Sequence, residues 1–336
     1  MADRANDNIT ADDVARVAGV SRWTVNRAFK KDASISAATR ARVMEAAGQL
    51  GYAPDLLAAS LASDRSNLVA LLVDDFANPH KLVMMERLTR ILRQHGWDTL
   101  LVNTLDRNDA TVALMNASQR RVDAAVLIGV NFDDQELETA LGARRIRKLI
   151  VFARFSANPN TISICCDDRA AMLQMTDHVI GKGYRRPLFL AGPQTLSAHL
   201  MRKETFLARW QAATGTIAAF TSVARYDPTL AYATVTTHLT GLSADRRPDV
   251  IVCENDALAM GAIDAIRYEF GLRTPDDIAV TGFDDVPQTT SPNYRLTTYR
   301  QPLTAMVEGL VSVLKGETES ADLSLFQGRM VIRDSA

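Results

Sequence analysis

Thr10-Ala-Asp-Asp-Val-Ala-Arg-Val-Ala-Gly-Val-Ser-Arg-Trp-Thr-Val-Asn-Arg-Ala-Phe29 opens a stretch that runs on to Leu61, and the rest of the chain is organised around it. Thr10 is placed to N-cap a helix whose first turn carries Asp12 and Asp13, acids that suit the positive end of a helix dipole. Val14, Ala15 and Ala18 give that helix a short apolar face, and Gly19 ends it where a left-handed residue costs little. Ser21 caps the next helix after only Gly19 and Val20, so the two helices must cross steeply, as in a helix-turn-helix. Val20, Val25 and Phe29 form the inner face of the second helix and leave Arg22, Trp23, Asn26 and Arg27 outside. A third helix starts at Ser36 and stops between Gly48 and Gly51, supplying Val43, Ala47 and Leu50 to a miniature core.

Short amphipathic helices are common, and any three-helix unit would share that pattern. Two details favour nucleic acid. The exposed second helix begins with donor-rich side chains, where a recognition helix meets base edges. Between residues 14 and 54, Arg16, Arg22, Arg27, Lys30, Lys31, Arg40 and Arg42 outnumber Asp32 and Glu45, a local excess suited to phosphates.

Asp13-Val-Ala-Arg-Val-Ala-Gly-Val-Ser21, Thr24-Val-Asn-Arg27, Gly51-Tyr-Ala-Pro54 and Leu57-Ala-Ala-Ser-Leu61 resemble the head of the LacI/GalR (lactose-repressor) family. The resemblance implies a second helix in the major groove and, after the proline, a hinge helix that forms on the operator. It makes Leu61 a minor-groove wedge with Ala58 packed beside it, and leucine wedging is a known way to kink DNA. The segment departs from the family at Asp55, commonly Asn, and at Ala59, often Arg or Gln. Arg22, Trp23 and Arg27 are expected at or near bases, with Thr24 and Asn26 closer to phosphates. Arg22 suits a guanine in bidentate fashion, and Trp23 a thymine methyl or the sugar-phosphate backbone. Thr10, Ser21 and Tyr52 complete the expected DNA-binding set.

The totals fit two or three units in 336 residues, with 47% apolar residues for a sizeable core. A net charge of -1 excludes a protein that coats nucleic acid indiscriminately. Cys165, Cys166 and Cys253 form neither a disulfide framework nor a metal-ligand spacing, and the adjacent pair reads as strand residues. No apolar run reaches membrane-spanning length, and Met1 to Asn8 is polar rather than a signal peptide, so a soluble, cytoplasmic protein is expected. Residues 1–9 read as a disordered leader and residues 62–67 as a linker. The expected division is a head over 1–54, a hinge helix and linker over 55–67, and an effector-binding and dimerisation domain over 68–336.

From residue 68 onward, apolar runs alternate with helical patterns: strands at 68–73, 98–102, 124–129 and 148–152, with helices at 79–95, 108–120 and 133–142. A second series follows, with strands at 161–165, 187–191, 219–224, 249–253 and 278–281 and helices at 168–181, 196–212, 229–240 and 255–270. A return segment carries a helix at 301–314 and a terminal strand. This predicts an α/β chain: an all-α helix-turn-helix head and two doubly wound lobes, with chain crossovers near 162, 294 and 323. Phe76-Ala-Asn-Pro79, Asp167-Asp-Arg-Ala170, Leu190-Ala-Gly-Pro193, Glu254-Asn-Asp256, Gly282-Phe-Asp-Asp285 and Leu296-Thr-Thr-Tyr-Arg-Gln-Pro302 follow the order of the same family's effector domain, itself similar to periplasmic sugar-binding proteins.

The loops after the strands offer Asp74, Asp75, Asn78, Arg154, Asp168, Arg202, Asn255 and Asp284, a set suited to bridging hydroxyls. The resemblance places Arg202, Asn255 and Asp284 on effector contacts and Tyr226 where an aromatic ring packs on the ligand. Asp167, Asp256 and Asp285 read instead as caps or loop ties. Where the family often has aromatics, His80 and Lys81 follow Asn78-Pro79, which favours a sugar acid or sugar phosphate over a neutral hexose. The sequence has no Gly-x-Ser-x-Gly elbow, His-Glu-x-x-His or Walker motif, and Gly181-Lys-Gly183 lies on the wrong side of a strand for a phosphate loop. No enzyme, metal or cofactor is expected. A binding protein without DNA would need a signal peptide in place of the basic head.

The expectation is a homodimeric, ligand-regulated repressor of near-palindromic operator DNA. Leu82, Met85, Leu88 and Leu92 mark helix 79–95 as the dimer seam, although core packing explains the same stripe.

Overall fold

The computed structural model describes residues 9–30, 33–54, 65–104, 107–129, 146–194, 198–318 and 325–336. Two units emerge, Met1–Ser66 and Asn67–Ala336. Asp55, Ala58, Ala59, Leu61 and the helix expected over 133–142 lie outside the described residues, as does the crossover expected near 323.

In the head, α1 (Ala11–Ala18) begins with a capping box in which the Thr10 side chain accepts from the Asp13 N–H and the Asp13 side chain accepts from the Thr10 N–H. Gly19 closes the helix at φ 64°. Ser21 caps α2 (Arg22–Ala28) and Ser36 caps α3 (Ala37–Leu50). Val14, Val25 and Val43 are fully buried, with Ala11, Ala15, Ala18, Ala28, Ala46 and Ala47 around them. These small side chains let three short helices approach closely. Arg40 fastens the turn between α2 and α3, donating to the carbonyls of Ala28, Lys30 and Ala33. It is therefore a structural tie rather than one of the free phosphate-seeking cations.

In the second unit, β1 (Leu68–Val73), β2 (Asp98–Asn103), β3 (Ala124–Ile128), β4 (Leu149–Phe152) and β6 (Ile162–Ile164) form one parallel sheet in the order β2-β1-β3-β4-β6. The unbroken apolar runs follow from burial on both faces. Val69, Leu71 and Val73 pack on one side with α4 (Pro79–Gln94), while Ala70 and Leu72 pack on the other with α5 (Arg107–Gln119). The second sheet repeats the design with β7 (Pro187–Ala191), β9 (Ala219–Ser222), β10 (Val250–Cys253) and β11 (Ala279–Thr281), ordered β11-β10-β7-β9. It is flanked by α6 (Asp168–Gly181), α7 (Arg202–Thr214), α8 (Pro228–Leu239) and α9 (Asp256–Tyr268). In each sheet the first strand lies between the second and third. Its carboxyl end is thus a topological switch point, where a crevice opens.

The chain leaves the first sheet after Ile164, since Ile162 still pairs with Ile150. Tyr294 and Leu296 still pack in the second lobe, so the return crossing falls later than 294. It comes between β12 (Thr298–Arg300) and α10 (Leu303–Lys315), whose Met306, Val307 and Leu310 complete the core of the first lobe. The last segment, β13 (Arg329–Val331), pairs antiparallel with β12. Two short strands have no counterpart in the sequence pattern: β5 (Phe155–Ser156) pairs antiparallel with β8 (Ala198–His199). That extended pairing delays the start of α7 to Arg202, instead of 196. Leu88 and Leu92 of the expected dimer stripe are fully buried in the first lobe, Met85 is half-buried against it, and Leu82 is exposed. Core packing accounts for most of that stripe.

Helices α8 and α9 meet at Gly261, where an added Cβ would stand 2.1 Å from the Pro228 carbonyl oxygen. Because a backbone atom cannot give way cheaply, Gly261→Ala is expected to destabilise the second unit by about 1–3 kcal/mol. Thermal or urea unfolding of the variant beside the parent checks this.

Candidate nucleic-acid interface and ligand cleft

On the head, α2 presents Trp23 at 65% exposure, flanked by exposed Arg22 and Asn26. The Arg22 guanidinium lies 3.2 Å from Asp12, an exposed pair that water screens and a phosphate or guanine would displace. Arg27 is more constrained: Nη2 donates to the Ser34 carbonyl at 2.7 Å and Cζ sits 4.4 Å from the Trp23 ring centroid. It braces Trp23 as much as it offers a contact. Ser21 and Thr24 hydroxyls are 3.0 Å apart in the cap of α2, the Thr10 hydroxyl serves the α1 cap, and Tyr52 packs edge-on against Phe29. Among the described members of the expected DNA-binding set, Arg22, Trp23 and Asn26 are therefore the freest.

In the second unit, the switch-point ends of both sheets face a cleft of about 400 Å³, part of it open to solvent. Asn78, Arg154, Arg202, Tyr226, Asn255 and Asp284 of the expected set line it. Asp74 and Asp168 stand behind, each holding a cation in place. Lys81 Nζ donates to Asp74 Oδ1 at 2.9 Å and to the Ile128 carbonyl at 2.7 Å. Arg202 Nε donates to Asp168 Oδ1 at 2.9 Å and Nη1 to the Glu254 carbonyl at 2.9 Å, with its Cζ 3.5 Å from the Phe283 ring centroid. The side chains of Asn78 and Asn255 accept from His80 and Leu258 N–H groups, so both cap helices as well as lining the cleft.

Four further residues shape the site without having been assigned to it from sequence. His80, Lys81 and Gln301 line the cleft, and Glu254 lies just behind it. Gln301 Nε2 donates to Asp284 Oδ1 at 2.7 Å, and His80 Nε2 is 3.6 Å from the same oxygen. Tyr226 donates its hydroxyl to Glu254 Oε2 at 2.9 Å, which also accepts the Gly192 N–H at 2.6 Å. A Cβ on Gly192 would collide with the Tyr226 ring at 2.1 Å, so the glycine makes room for that ring. The polar pair after Asn78-Pro79 is one visible signal, and Gln301 stands in the 296–302 motif without its chemistry marking it as a cleft residue. Asp75 adopts φ 48°, and Asp284 and Asp285 take φ 116° and 56°, a conformation rare outside glycine and concentrated at functional turns. Asp285, as expected of a tie, holds Arg300 and Arg333, while Asp256 accepts from Thr298 and from the Val286 N–H.

Burial sets the electrostatics. It pushes the Lys81 ammonium pKa down, against Asp74, and the Asp168 and Glu254 carboxyl values up. Burial also opposes the Arg202 charge, but Asp168 and Asp284 outweigh it and fix the guanidinium in its protonated form. Burial and Glu254 raise the Tyr226 phenol. Cys165 and Cys166 are buried just past β6 rather than in it, and burial pushes both thiols up to about 12, out of redox range. Among the described residues no acid or histidine cluster suits a metal ion and no helix is long and apolar enough to cross a membrane.

The model for bacterial regulatory proteins of the lacI family matches residues 10–55, and that for a periplasmic binding protein-like domain matches residues 176–336. The chain is 29% identical to the sucrose operon repressor of Escherichia coli over 279 residues, covering 82% of this chain and 83% of that one. It is 28% identical to the ribose operon repressor of Escherichia coli K12, over 91% and 92% of the two chains. The solved Lac repressor dimer bound to operator and the anti-inducer ONPF superposes with TM-score 0.79 at 23% identity, over 98% of this chain and 99% of that one.

His80 generates a pH dependence. Burial holds its pKa below the ordinary 6.5, with Arg202 and Lys81 acting the same way and Asp284 opposing. The unfolded chain binds a proton that the folded ring refuses, so the stability from neutral His80 is complete above about pH 6.5 and is lost as pH falls. His80 therefore lowers stability as pH drops from about 7 to 5 while the raised Asp168 and Glu254 carboxyls act the other way, so over that range the urea midpoint of the parent is expected to fall relative to that of His80→Gln. An unaltered slope in the variant would assign the effect to His178 and His238, whose values burial also lowers.

Proposed function

This chain belongs to the LacI family of bacterial regulatory proteins, and on that footing we propose a ligand-responsive repressor that binds a near-palindromic operator as a homodimer. Its effector is a small polar metabolite, a sugar, sugar acid or sugar phosphate, held in the cleft between the two lobes. Such a regulator works by binding rather than by catalysis.

The observation that carries the reading is the pairing, in one chain, of a capped helix-turn-helix displaying Arg22, Trp23 and Asn26 with a cleft of buried charges at two sheet switch points. In the operator complex, Arg22 takes a guanine edge, Trp23 makes apolar contact, and Thr24, Asn26 and the caps at Thr10 and Ser21 lie towards phosphates. Leu61 wedges into the minor groove beside Ala58. Two protomers are favoured by exposed Leu82, Leu101, Val112 and Met115 on the first lobe, apolar side chains that a partner would cover. A ligand touching Arg202 and Asp284 of one lobe and Asn78 and Arg154 of the other has different affinities for different lobe angles. Operator and ligand are then coupled by a reciprocal free energy of about 1–3 kcal/mol.

Two variants test the head, using an operator selected from random duplexes. Trp23→Ala should relax preference at one base position by about 1–3 kcal/mol with the salt dependence unchanged, as anisotropy titrations at several salt concentrations will show. Leu61→Ala should weaken operator binding about tenfold or more, roughly 1.4 kcal/mol, while ligand affinity stays close to the parent's. Operator affinity equal to the parent's would remove Leu61 from the interface.

A further inference from the structure

Arg154 stands apart from the other cations of the cleft. Lys81 has the Asp74 carboxylate at 2.9 Å, and Arg202 has that of Asp168 at the same distance. Arg154 is as withdrawn from water, at 8% exposure, yet it forms no ion pair among the described residues. Its hydrogen bond is a long one, donated from Nη2 to the Tyr226 hydroxyl at 3.3 Å, and the hydroxyl in turn donates to Glu254. A guanidinium carries five N–H donors in a planar fork, so most of them remain for whatever enters the cleft.

A second observation comes from the Asp284 side. His80 Nδ1 and Gln301 Oε1 are buried polar atoms with no hydrogen-bond partner, and both residues line the cleft. They flank Asp284, which already accepts from Gln301 Nε2 through Oδ1. Buried polar groups left unpaired are costly, and their usual explanation is a partner that binds there.

We infer that the cleft takes a polyhydroxylated carboxylate, of the sugar-acid class, with its carboxylate on the Arg154 guanidinium and its hydroxyls on Asp284, His80 and Gln301. The inference rests on the cleft being the effector site. The planar fork matches a carboxylate in bidentate fashion. A neutral sugar would satisfy the Asp284 group and leave the Arg154 charge with no direct counter-ion, compensated only at a distance by Glu254 beyond Tyr226 and by Asp168. A phosphate dianion would bring two charges to a cleft where one cation lacks a direct ion pair and where Glu254, Asp168 and Asp284 already supply carboxyl groups.

Isothermal titration of the full chain against gluconate, glucuronate and galacturonate, each beside glucose or galactose, together with glucose 6-phosphate, tests this. At least one acid should bind at least tenfold tighter than its neutral counterpart, and Arg154→Gln should erase that ratio. The ligand-free variant should melt no lower than the parent, because it loses a buried charge that has no direct ion pair and only one long hydrogen bond. A neutral sugar binding as tightly as its acid overturns the inference and leaves the cleft as the effector site. Tighter, Arg154-dependent binding of glucose 6-phosphate replaces the carboxylate with a phosphate and overturns it too. Silence across the panel removes both the inference and the reading of the cleft as a sugar-type site. A large drop in melting temperature for Arg154→Gln would make the guanidinium a structural tie through Tyr226 and defeat the premise.

Discussion

The second unit depends on holding the Arg202 guanidinium, 3% exposed, away from water. That charge is tolerable only because Asp168 and the Glu254 carbonyl accept its donors while the Phe283 ring covers one face. The partners come from the start of α6, the end of β10 and the turn after β11, so a single side chain draws three loops to one point. Removing a partner would leave a buried charge uncompensated, a far larger penalty than losing an exposed pair. The same loops carry Asn255 and Asp284 into the cleft, so the geometry offered to a ligand is fixed by the arrangement that satisfies this arginine.

The opposite lobe solves a similar problem with Lys81 and Asp74. Two buried ion pairs, one in each wall with its acid set behind the lining, make the cleft polar. This explains why Asp74 and Asp168, selected from sequence as ligand contacts, support the lining instead of forming it. Sequence alone showed that acids and cations would converge at the strand ends. It could not show which acid would be spent on which cation, because that choice depends on lateral packing between elements distant in the chain.

Legibility followed the range of the forces involved. The caps at Thr10, Ser21 and Ser36 and the apolar runs of β1 and β7 are local, and their readings agree with the structure. The β5–β8 pairing joins residues far apart in sequence with no local pattern of their own, and it moved the start of α7. The stripe on α4 was ambiguous for a different reason, since a core and an interface use the same side chains. Gln301 lies in the 296–302 motif, yet its role in the cleft does not show there because it arises only where the chain passes from one lobe to the other.

That passage bears on how the protein is made. The sheet of the first lobe is built from β1 to β4 and β6, yet Leu303, Met306, Val307, Leu310, Val311 and Val313 of α10 belong to its core. All of these residues are translated after the strands of the second sheet. During synthesis the amino-terminal lobe must therefore wait, with one side of its sheet incompletely covered, until the second lobe has emerged and α10 follows it out of the ribosome. The lobe that begins first is finished last, and its exposed apolar sheet face is where chaperone protection during synthesis matters most.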